Sequence, residues 1–497
     1  MDHLTIFDEL YPKFKITKKV RMITFFSGYD SQCLAMKYLG VDYEHYKTCE
    51  WAVKSIQALK DIHFENDNTD YSKDLSKEEL QEYLFNKGIS SNYNEPMTRE
   101  QINRLSEDNL RLIYNNIKAT HNLVNIQQVK GEDLEIEDKE DYCYILTYSF
   151  PCQDLSLAGK GKGMSDTSTR SGMLWEVERI LKELKELDAL PQVLLMENVP
   201  MIHSVDNTPD FNKWQIELTK LGYKNYWEDL IATDYGIPQT RNRCFMVSIL
   251  GDYNYTFPKP IKLEKKLKDM LENNVDEKYY LSDKTLEQIS NWKSYQNPLD
   301  NVMGKESISP TITTRIAESQ DGGINASMKV YCDKLQETTN ILKIKNATKK
   351  GYLEATDGDG IDISSRMEHH RGTVQKGKTQ TLTTQCDNGV VVMGNYTPSK
   401  HNASRIVDKD YSAPTVMENH GTITATQTSD LRIRKLTPKE CFRLMNVKDE
   451  DFNKVKINQS DSSLYHLAGD SICSNILMAL FGEMLDIDWE KKVREML

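Results

Sequence analysis

Phe150-Pro151-Cys152-Gln153 follows the apolar run Tyr144-Ile145-Leu146, and Glu197-Asn198-Val199 follows Val193-Leu194-Leu195-Met196. A third stretch, Gln239-Thr240-Arg241-Asn242-Arg243, leads straight into Cys244-Phe245-Met246-Val247. Short apolar runs bounded by polar residues read as buried strands. The three polar stretches then stand at strand ends of an α/β sheet, where open sheets gather ligand-binding and catalytic groups. Together they supply a thiol, an acid and a pair of arginines. Cys152 taken alone would read as a small buried hydrophobe. Its company makes it a candidate nucleophile.

This set suits attack on a pyrimidine ring too electron-rich to react unaided. A thiolate from Cys152 adds to C6 of cytosine only if N3 is protonated or hydrogen-bonded as charge develops, which requires an acid facing the Watson–Crick edge. Glu197 is suited to that role. Arg241 and Arg243, one residue apart on an expected strand, point to one face and can hold the O2 carbonyl, a phosphate and the thiolate of Cys152. Asn198 fixes the loop or the exocyclic amine, and Gln239 supports the arginines. With sulfur on C6, C5 becomes nucleophilic enough to take a methyl group; loss of the C5 proton to a base then expels the cysteine.

These residues resemble the C5-cytosine DNA methyltransferases, whose blocks read Pro-Cys-Gln, Glu-Asn-Val and Gln-x-Arg-x-Arg. The likeness extends through Asp234-Tyr235-Gly236-Ile237-Pro238-Gln239, Arg434-Lys435-Leu436-Thr437-Pro438-Lys439-Glu440-Cys441-Phe442-Arg443-Leu444-Met445 and Gly469-Asp470-Ser471-Ile472, in the family's order. It covers most of residues 20–250 and 432–485. The resemblance implies a Rossmann-like methyltransferase fold with a mostly parallel sheet and a smaller β-rich target recognition domain. It also implies S-adenosyl-L-methionine as methyl donor, double-stranded DNA as substrate and a flipped-out cytosine.

For the cofactor, Met22-Ile23-Thr24-Phe25-Phe26-Ser27-Gly28 reads as a strand entering a Gly turn before a helix over Cys33–Leu39, and Glu50-Trp51 ends the next strand. Gly28 lets the backbone approach a ligand, Glu50 accepts from a ribose diol and Trp51 stacks on adenine. The resemblance places Phe26, Gly28, Glu50, Trp51, Asp133, Pro151, Asp470 and Ser471 at the cofactor. Asp30 and Ser31 stand where the family has further glycines: either Asp30 contacts the methionine ammonium, or the loop binds cofactor weakly. Asp133, in Gly131-Glu132-Asp133, is either an acceptor for the adenine amine or part of a solvated acidic turn.

Two segments depart from a minimal fold. Ser76-Lys77-Glu78-Glu79 and Thr98-Arg99-Glu100-Gln101 have capping-box spacing, and Leu80, Leu84, Ile102 and Leu105 supply apolar faces, so a helical insertion is expected at about 66–120. Residues 283–431 are polar and Thr-rich, with recurring Ser309-Pro310-Thr311-Ile312-Thr313-Thr314, Thr379-Gln380-Thr381-Leu382-Thr383-Thr384 and Ala413-Pro414-Thr415-Val416. Alternating Thr and aliphatic residues suit short strands, and Asn388-Gly389 before Val390-Val391-Val392 reads as a hairpin turn. The expected organisation is a catalytic domain over 1–265, a target recognition domain over 283–431 and a closing segment over 432–497. By resemblance Thr381-Leu382 or Thr415-Val416 contacts DNA beside the flipped base. His369-His370-Arg371 and Lys376-Gly377-Lys378 are further candidates for DNA contact. The Gly- and Lys-bearing loop after Cys152, with Gln153, Ser156, Lys160 and Lys162, suits closure over DNA.

Composition sets the limits. The chain has 497 residues, 38% of them hydrophobic, and a formal net charge of -12. That charge excludes bulk coating of DNA. Residues 301–435, with 18 Lys and Arg against 15 Asp and Glu, are mildly positive, so DNA contact must be local. No run reaches membrane-spanning length and no signal segment is legible at the start. Nine cysteines without Cys-x-x-Cys or His/Cys metal spacing read as reduced thiols with no zinc site, in a cytoplasmic, monomeric protein of a bacterial cell or a phage-infected host. A cognate restriction endonuclease, where one exists, would act separately. Rival readings are methylation of RNA cytosine and a non-catalytic DNA-binding derivative; a thiol hydrolase lacks a His partner for Cys152.

Overall fold

The computed structural model describes residues 11–150, 171–239, 241–265, 267–279, 342–345, 350, 352–356, 359–362, 373–376, 378, 388–392 and 432–496. The chain divides into two compact units, one comprising Met1–Gly236, Asn242–Lys262 and Met445–Leu497, the other Ile237–Arg241 and Leu263–Leu444.

The first unit is built on six strands: β1 (Lys19–Phe25), β2 (Tyr43–Cys49), β3 (Tyr142–Tyr148), β4 (Val193–Asn198), β5 (Tyr223–Ile231) and β6 (Asn242–Leu250), in the order β2-β1-β3-β4-β6-β5. The first four are mutually parallel and β6 is antiparallel to both β4 and β5. All of β4 and all but the first residue of β3 are buried, as expected for parallel strands covered on both faces by helices. The chain leaves β1 towards β2 on one side and later returns to β3 on the other. This reversal opens a crevice at the carboxyl ends of β1 and β3, the place where such sheets bind ligands.

The covering helices are α1 (Ser31–Leu39), α2 (Val53–His63), α3 (Lys77–Lys87), α4 (Arg99–Asn103), α5 (Glu107–Ala119), α6 (Leu174–Glu186) and α7 (Thr208–Leu221). After α8 (Pro438–Leu444), which belongs to the second unit, come α9 (Asp449–Lys456), α10 (Asp461–Asp470), α11 (Ser474–Leu485) and α12 (Trp489–Met496). Helix α6 buries Val177, Ile180, Leu181 and Leu184, a stripe at helical spacing that joins the sheet core with Phe211 and Trp214 of α7. Nearly every residue of α11 is buried, and it packs on α1. Thus a segment more than 400 positions downstream completes the first βα unit.

The stretch expected to be helical, about 66–120, carries α3, α4 and α5. Ser76 with Glu79 and Thr98 with Gln101 both form the reciprocal capping box that their spacing predicts. Leu80, Leu84, Ile102 and Leu110 form with Ile56 of α2 a second apolar cluster, against which Trp51 and Leu105 pack.

In the second unit, β7 (Leu342–Lys345) pairs antiparallel with β8 (Tyr352–Ala355), and β9 (Gly360–Asp362), β10 (Val374–Gln375), β11 (Asn388–Val392) and β12 (Arg432–Lys435) form an antiparallel sheet in the order β10-β9-β11-β12. Asn388 and Gly389 are not a hairpin turn: they lie within β11, paired with Asp362 and Ile361 of β9. Lys376 is ion-paired with Asp359 at 2.8 Å. Thr381, Leu382, Thr415, Val416 and His369 to Arg371 lie outside the described residues.

Candidate active site

Three strand ends converge on one edge of the sheet. β3 and β4 run parallel with Tyr148 beside Met196, while β6 runs the other way, with Cys244 beside Asn198. The start of β6 therefore stands at the same edge as the ends of β3 and β4. This is why Arg243, opening a strand, faces Glu197, closing one. Pro151, Cys152, Gln153, Ser156, Lys160 and Lys162 lie outside the described residues, but the chain leading to them is fixed as far as Phe150.

The Glu197 side chain is buried between two donors. Arg243 Nε lies 3.1 Å from Glu197 Oε1, and Ser149 Oγ donates to Glu197 Oε2. Asn198 Nδ2 donates to the carbonyl of Phe150 at 3.1 Å, and Asn198 Oδ1 accepts from its neighbour Val199. Asn198 thereby ties the end of the acid's strand to the backbone two residues before Cys152. Ser149 was not singled out from sequence; its position three residues before Cys152 is the only signal that marks it.

Arg243 lies on β6, but Arg241 precedes the strand and falls in the second unit, so the expectation of two arginines alternating along one strand holds only for Arg243. Arg241 is buried. Gln239 is buried in the same unit, and its Nε2 donates to the carbonyl of Leu444 at 2.8 Å. In that position it anchors the turn before Arg241 to the end of α8.

At the carboxyl end of β1 the chain zigzags: Phe26, Gly28 and Asp30 all have positive φ, at 57°, 57° and 61°. Such strain at non-glycine residues concentrates where ligands bind. No atom lies within 4 Å of the place a Cβ on Gly28 would occupy, so the turn borders open space. Gly28 N donates to Glu50 Oε2 at 2.9 Å and Ala52 N to Glu50 Oε1 at 2.7 Å. Burial pushes the Glu50 carboxyl up to about 7 against those two donors, with the charge of Asp470 adding to the rise. Asp470 closes α10 with its carboxylate 2.9 Å from His466 Nε2. Ser471 Oγ bonds back to Ala468, and Ile472 N donates to Ser31 Oγ at 3.3 Å. A glycine turn beside open space, an acid with raised proton affinity and the half-buried Trp51 form a donor and stacking set that fits a nucleoside.

Two expectations at this end are corrected. Asp30 does not face a ligand: its left-handed backbone turns the carboxylate inward, where it caps α1 at Cys33 N (3.0 Å), accepts from Thr24 Oγ1 (2.9 Å) and pairs with His45 Nε2 (2.8 Å). Burial opposes ionisation of Asp30, but His45 and the backbone hold its carboxyl down at about 2. Ser31 likewise serves packing, accepting from the turn between α10 and α11. Asp133 lies in a 3-10 turn whose capping bond it makes itself, to Lys130 N at 2.8 Å. Gly131 of that turn sits against Glu183 near the end of α6. The residue beside β2 is instead Asn122, whose amide exchanges hydrogen bonds with the backbone of Glu50 at 3.0 and 2.9 Å. An Asn bonded across 72 positions leaves no periodic signal in sequence.

The fold also brings together two groups of possible metal ligands that no sequence spacing reveals: Asp30, Cys33 and His45, and His203, Asp229 and Cys244. Each contains a close His–Asp ion pair, at 2.8 and 3.0 Å. The six described cysteines, Cys33, Cys49, Cys143, Cys244, Cys441 and Cys473, are buried and form no disulfide with one another.

Comparison with known proteins places these features in one context. The family described as C-5 cytosine-specific DNA methylase matches residues 102–486. The chain is similar to the orphan methyltransferase M.SssI of Spiroplasma monobiae, 33% identical over 367 residues, 70% of this chain and 90% of that one. It is also similar to the type II methyltransferase M2.ScrFI of Lactococcus lactis subsp. cremoris, 28% identical over 469 residues, 94% of this chain and 99% of that one. The orphan methyltransferase M.SPRI of Bacillus phage SPR is 26% identical over 394 residues, 69% of this chain and 82% of its own.

Proposed function

The chain belongs to the C-5 cytosine-specific DNA methylases, and on that premise we propose that it methylates C5 of a flipped-out cytosine in a specific duplex DNA sequence through a covalent Cys152 adduct. Of the readings the sequence leaves open, DNA methylation is the one this family carries.

The observation that carries the mechanism is the seating of Glu197. Arg243 and Ser149 fix the two carboxyl oxygens, and Asn198 fixes the backbone that leads to Cys152. The acid and Phe150, the last described residue before the nucleophile, therefore keep a set relation across adjacent strands, which supports protonation at N3 coupled to attack at C6. The Cys152 thiolate forms the C6–S bond as Glu197 delivers a proton to N3. The electron pair released towards C5 would then take up the methyl group, whose bond to the donor's sulfur would break with its electron pair left on that sulfur. A base removes the C5 proton, the C5–C6 double bond re-forms as the thiolate leaves, and N3 returns its proton to Glu197. Arg241 and Gln239 order the approach to the strand, and residues 283–431 supply sequence recognition, with Thr381-Leu382 or Thr415-Val416 at the flipped base.

S-Adenosylmethionine supplies an electrophilic methyl group when bound. Phe26, Gly28, Glu50, Trp51, Pro151, Asp470 and Ser471 are the residues that would hold it, with Glu50 on the ribose and Trp51 on the adenine. Among the described residues no helix is long and apolar enough to cross a membrane. Buried thiols without disulfides among the described residues, with a DNA substrate, favour a cytoplasmic enzyme, which we take to act as a monomer. The type II naming of one relative supports a restriction–modification setting, with any cognate endonuclease acting as a separate protein.

The test is covalent capture. Duplex DNA amplified with 5-fluorodeoxycytidine cannot lose its C5 substituent as a proton, so the complete chain with S-adenosylmethionine is expected to form a detergent-resistant complex that Cys152→Ser abolishes. Capture that persists in Cys152→Ser contradicts the mechanism.

A further inference from the structure

The helical insertion reaches the cofactor end of the sheet through one loop. Ser90 N donates to the Trp51 carbonyl at 2.8 Å and Val53 N to the Ser90 carbonyl at 2.9 Å, so the loop is bonded on either side of Ala52, directly after Glu50. Its own shape is fixed. Met97 N closes on Ile89 O at 2.7 Å, Ser90 Oγ donates to Glu95 O at 2.7 Å, and Asn92 Oδ1 accepts from Asn94 N and Glu95 N at 2.9 and 3.2 Å. Ile89 and Met97 are anchored in the apolar cluster of the insertion.

The product of this bracing is Tyr93, held at φ 63°. A left-handed tyrosine is strained and persists only where its surroundings impose it. Its ring stacks on His466 with centroids 3.7 Å apart, and His466 is the partner of Asp470. The Tyr93 hydroxyl is buried; Ser55 and Ser463 lie near it but meet no hydrogen-bond geometry. Burial, with the charges of Glu50 and Asp470 adding to it, pushes the phenol up to about 12, so at neutral pH it is a donor. A buried hydroxyl that meets no partner in good geometry gains by donating to a ligand.

We propose that the 89–97 loop of the insertion forms one wall of the cofactor site, with Tyr93 Oη donating a hydrogen bond to the ribose of the bound nucleoside. The assignment rests on reading residues 26–51 as the cofactor site. The insertion thereby acquires a role in binding, because ribose is held between an acceptor, Glu50, and a donor, Tyr93, brought from separate parts of the chain.

Calorimetric titration of the full chain with S-adenosylhomocysteine, and with its 2′,3′-dideoxyribose analogue, tests it. Tyr93→Phe keeps the ring and its stacking and removes only the donor. It is expected to weaken S-adenosylhomocysteine binding about five- to tenfold, the loss of one net hydrogen bond, to leave the analogue's affinity as in wild type and not to lower the melting temperature of the ligand-free protein. Binding of S-adenosylhomocysteine unchanged in Tyr93→Phe while Glu50→Gln weakens it overturns the Tyr93 assignment alone, as does an equal loss for both ligands. Unchanged binding in Glu50→Gln overturns the cofactor-site reading and the proposal with it.

Discussion

Replacing Glu197 by Gln isolates the acid at the centre of the site. The two side chains match in size, but glutamine carries no titratable proton and presents an amide nitrogen in place of one oxygen. In the structure both oxygens face donors, Ser149 Oγ and Arg243 Nε, the latter at 3.1 Å. With its oxygen towards Arg243 and its nitrogen towards Ser149, whose hydroxyl can accept as well as donate, the amide can keep both contacts, but the carboxylate charge opposite the guanidinium is lost, a change of about 1.5–3 kcal/mol. Loss of a positioned general acid costs about 10²–10⁴ in rate. The two effects overlap, so the expected fall in single-turnover methyl transfer is roughly 10³, or about 4 kcal/mol. Ser149→Ala removes one neutral-to-charged hydrogen bond and is expected to cost about tenfold. Rates are read by quenched-flow transfer of labelled methyl to excess unmethylated DNA, with DNA affinity measured separately. A Glu197→Gln enzyme within tenfold of wild type, binding DNA normally, would refute the assignment of the acid.

Other consequences concern the cofactor end and the core. Because the folded Glu50 carboxyl titrates at about 7 against an ordinary 4.5, its contribution to stability is present at low pH and is lost as pH rises through that window. The melting temperature of the cofactor-free protein should therefore fall between about pH 5 and about pH 8, with a shallower slope in Glu50→Gln. S-Adenosylhomocysteine binding should tighten over the same range as the carboxylate forms. Asp30→Ala removes the α1 cap and strands Thr24 and His45; a loss of about 3 kcal/mol is expected in chemical denaturation, with Asp30→Asn milder. Gly482→Ala, ordinarily favourable in a helix by about 1 kcal/mol, should instead lower the melting temperature, because its Cβ would lie 2.5 Å from Trp489 Cβ.

Much of the sheet and the catalytic edge is legible in sequence because parallel strands buried on both faces write continuous apolar runs. Val193–Met196 and Tyr144–Leu146 announce β4 and β3, and the polar residues after them fall where the chain leaves the sheet. The insertion is legible for another reason: capping boxes are local, so Ser76-Glu79 and Thr98-Gln101 need no tertiary context. What fails depends on direction or distance. Asp30 occupies the ligand loop in sequence, yet a left-handed backbone aims it at Cys33 and His45. Asp133 resembles a motif position, but its turn packs on α6, while Asn122 takes the place beside Glu50 through bonds to backbone. Strand polarity is equally hidden: nothing in Cys244–Val247 says that β6 runs against its neighbours, the fact that brings Arg243 to Glu197. Ser149 and Tyr93 acquire meaning only from what stands opposite them.

The most direct test of the central claim is to incubate the purified chain with methyl-labelled S-adenosylmethionine and unmethylated genomic DNA, digest the DNA and identify the labelled nucleoside. The account predicts label in 5-methyldeoxycytidine alone, abolished by Cys152→Ala with DNA binding retained. Label in another nucleoside, or undiminished label with Cys152→Ala, would contradict it.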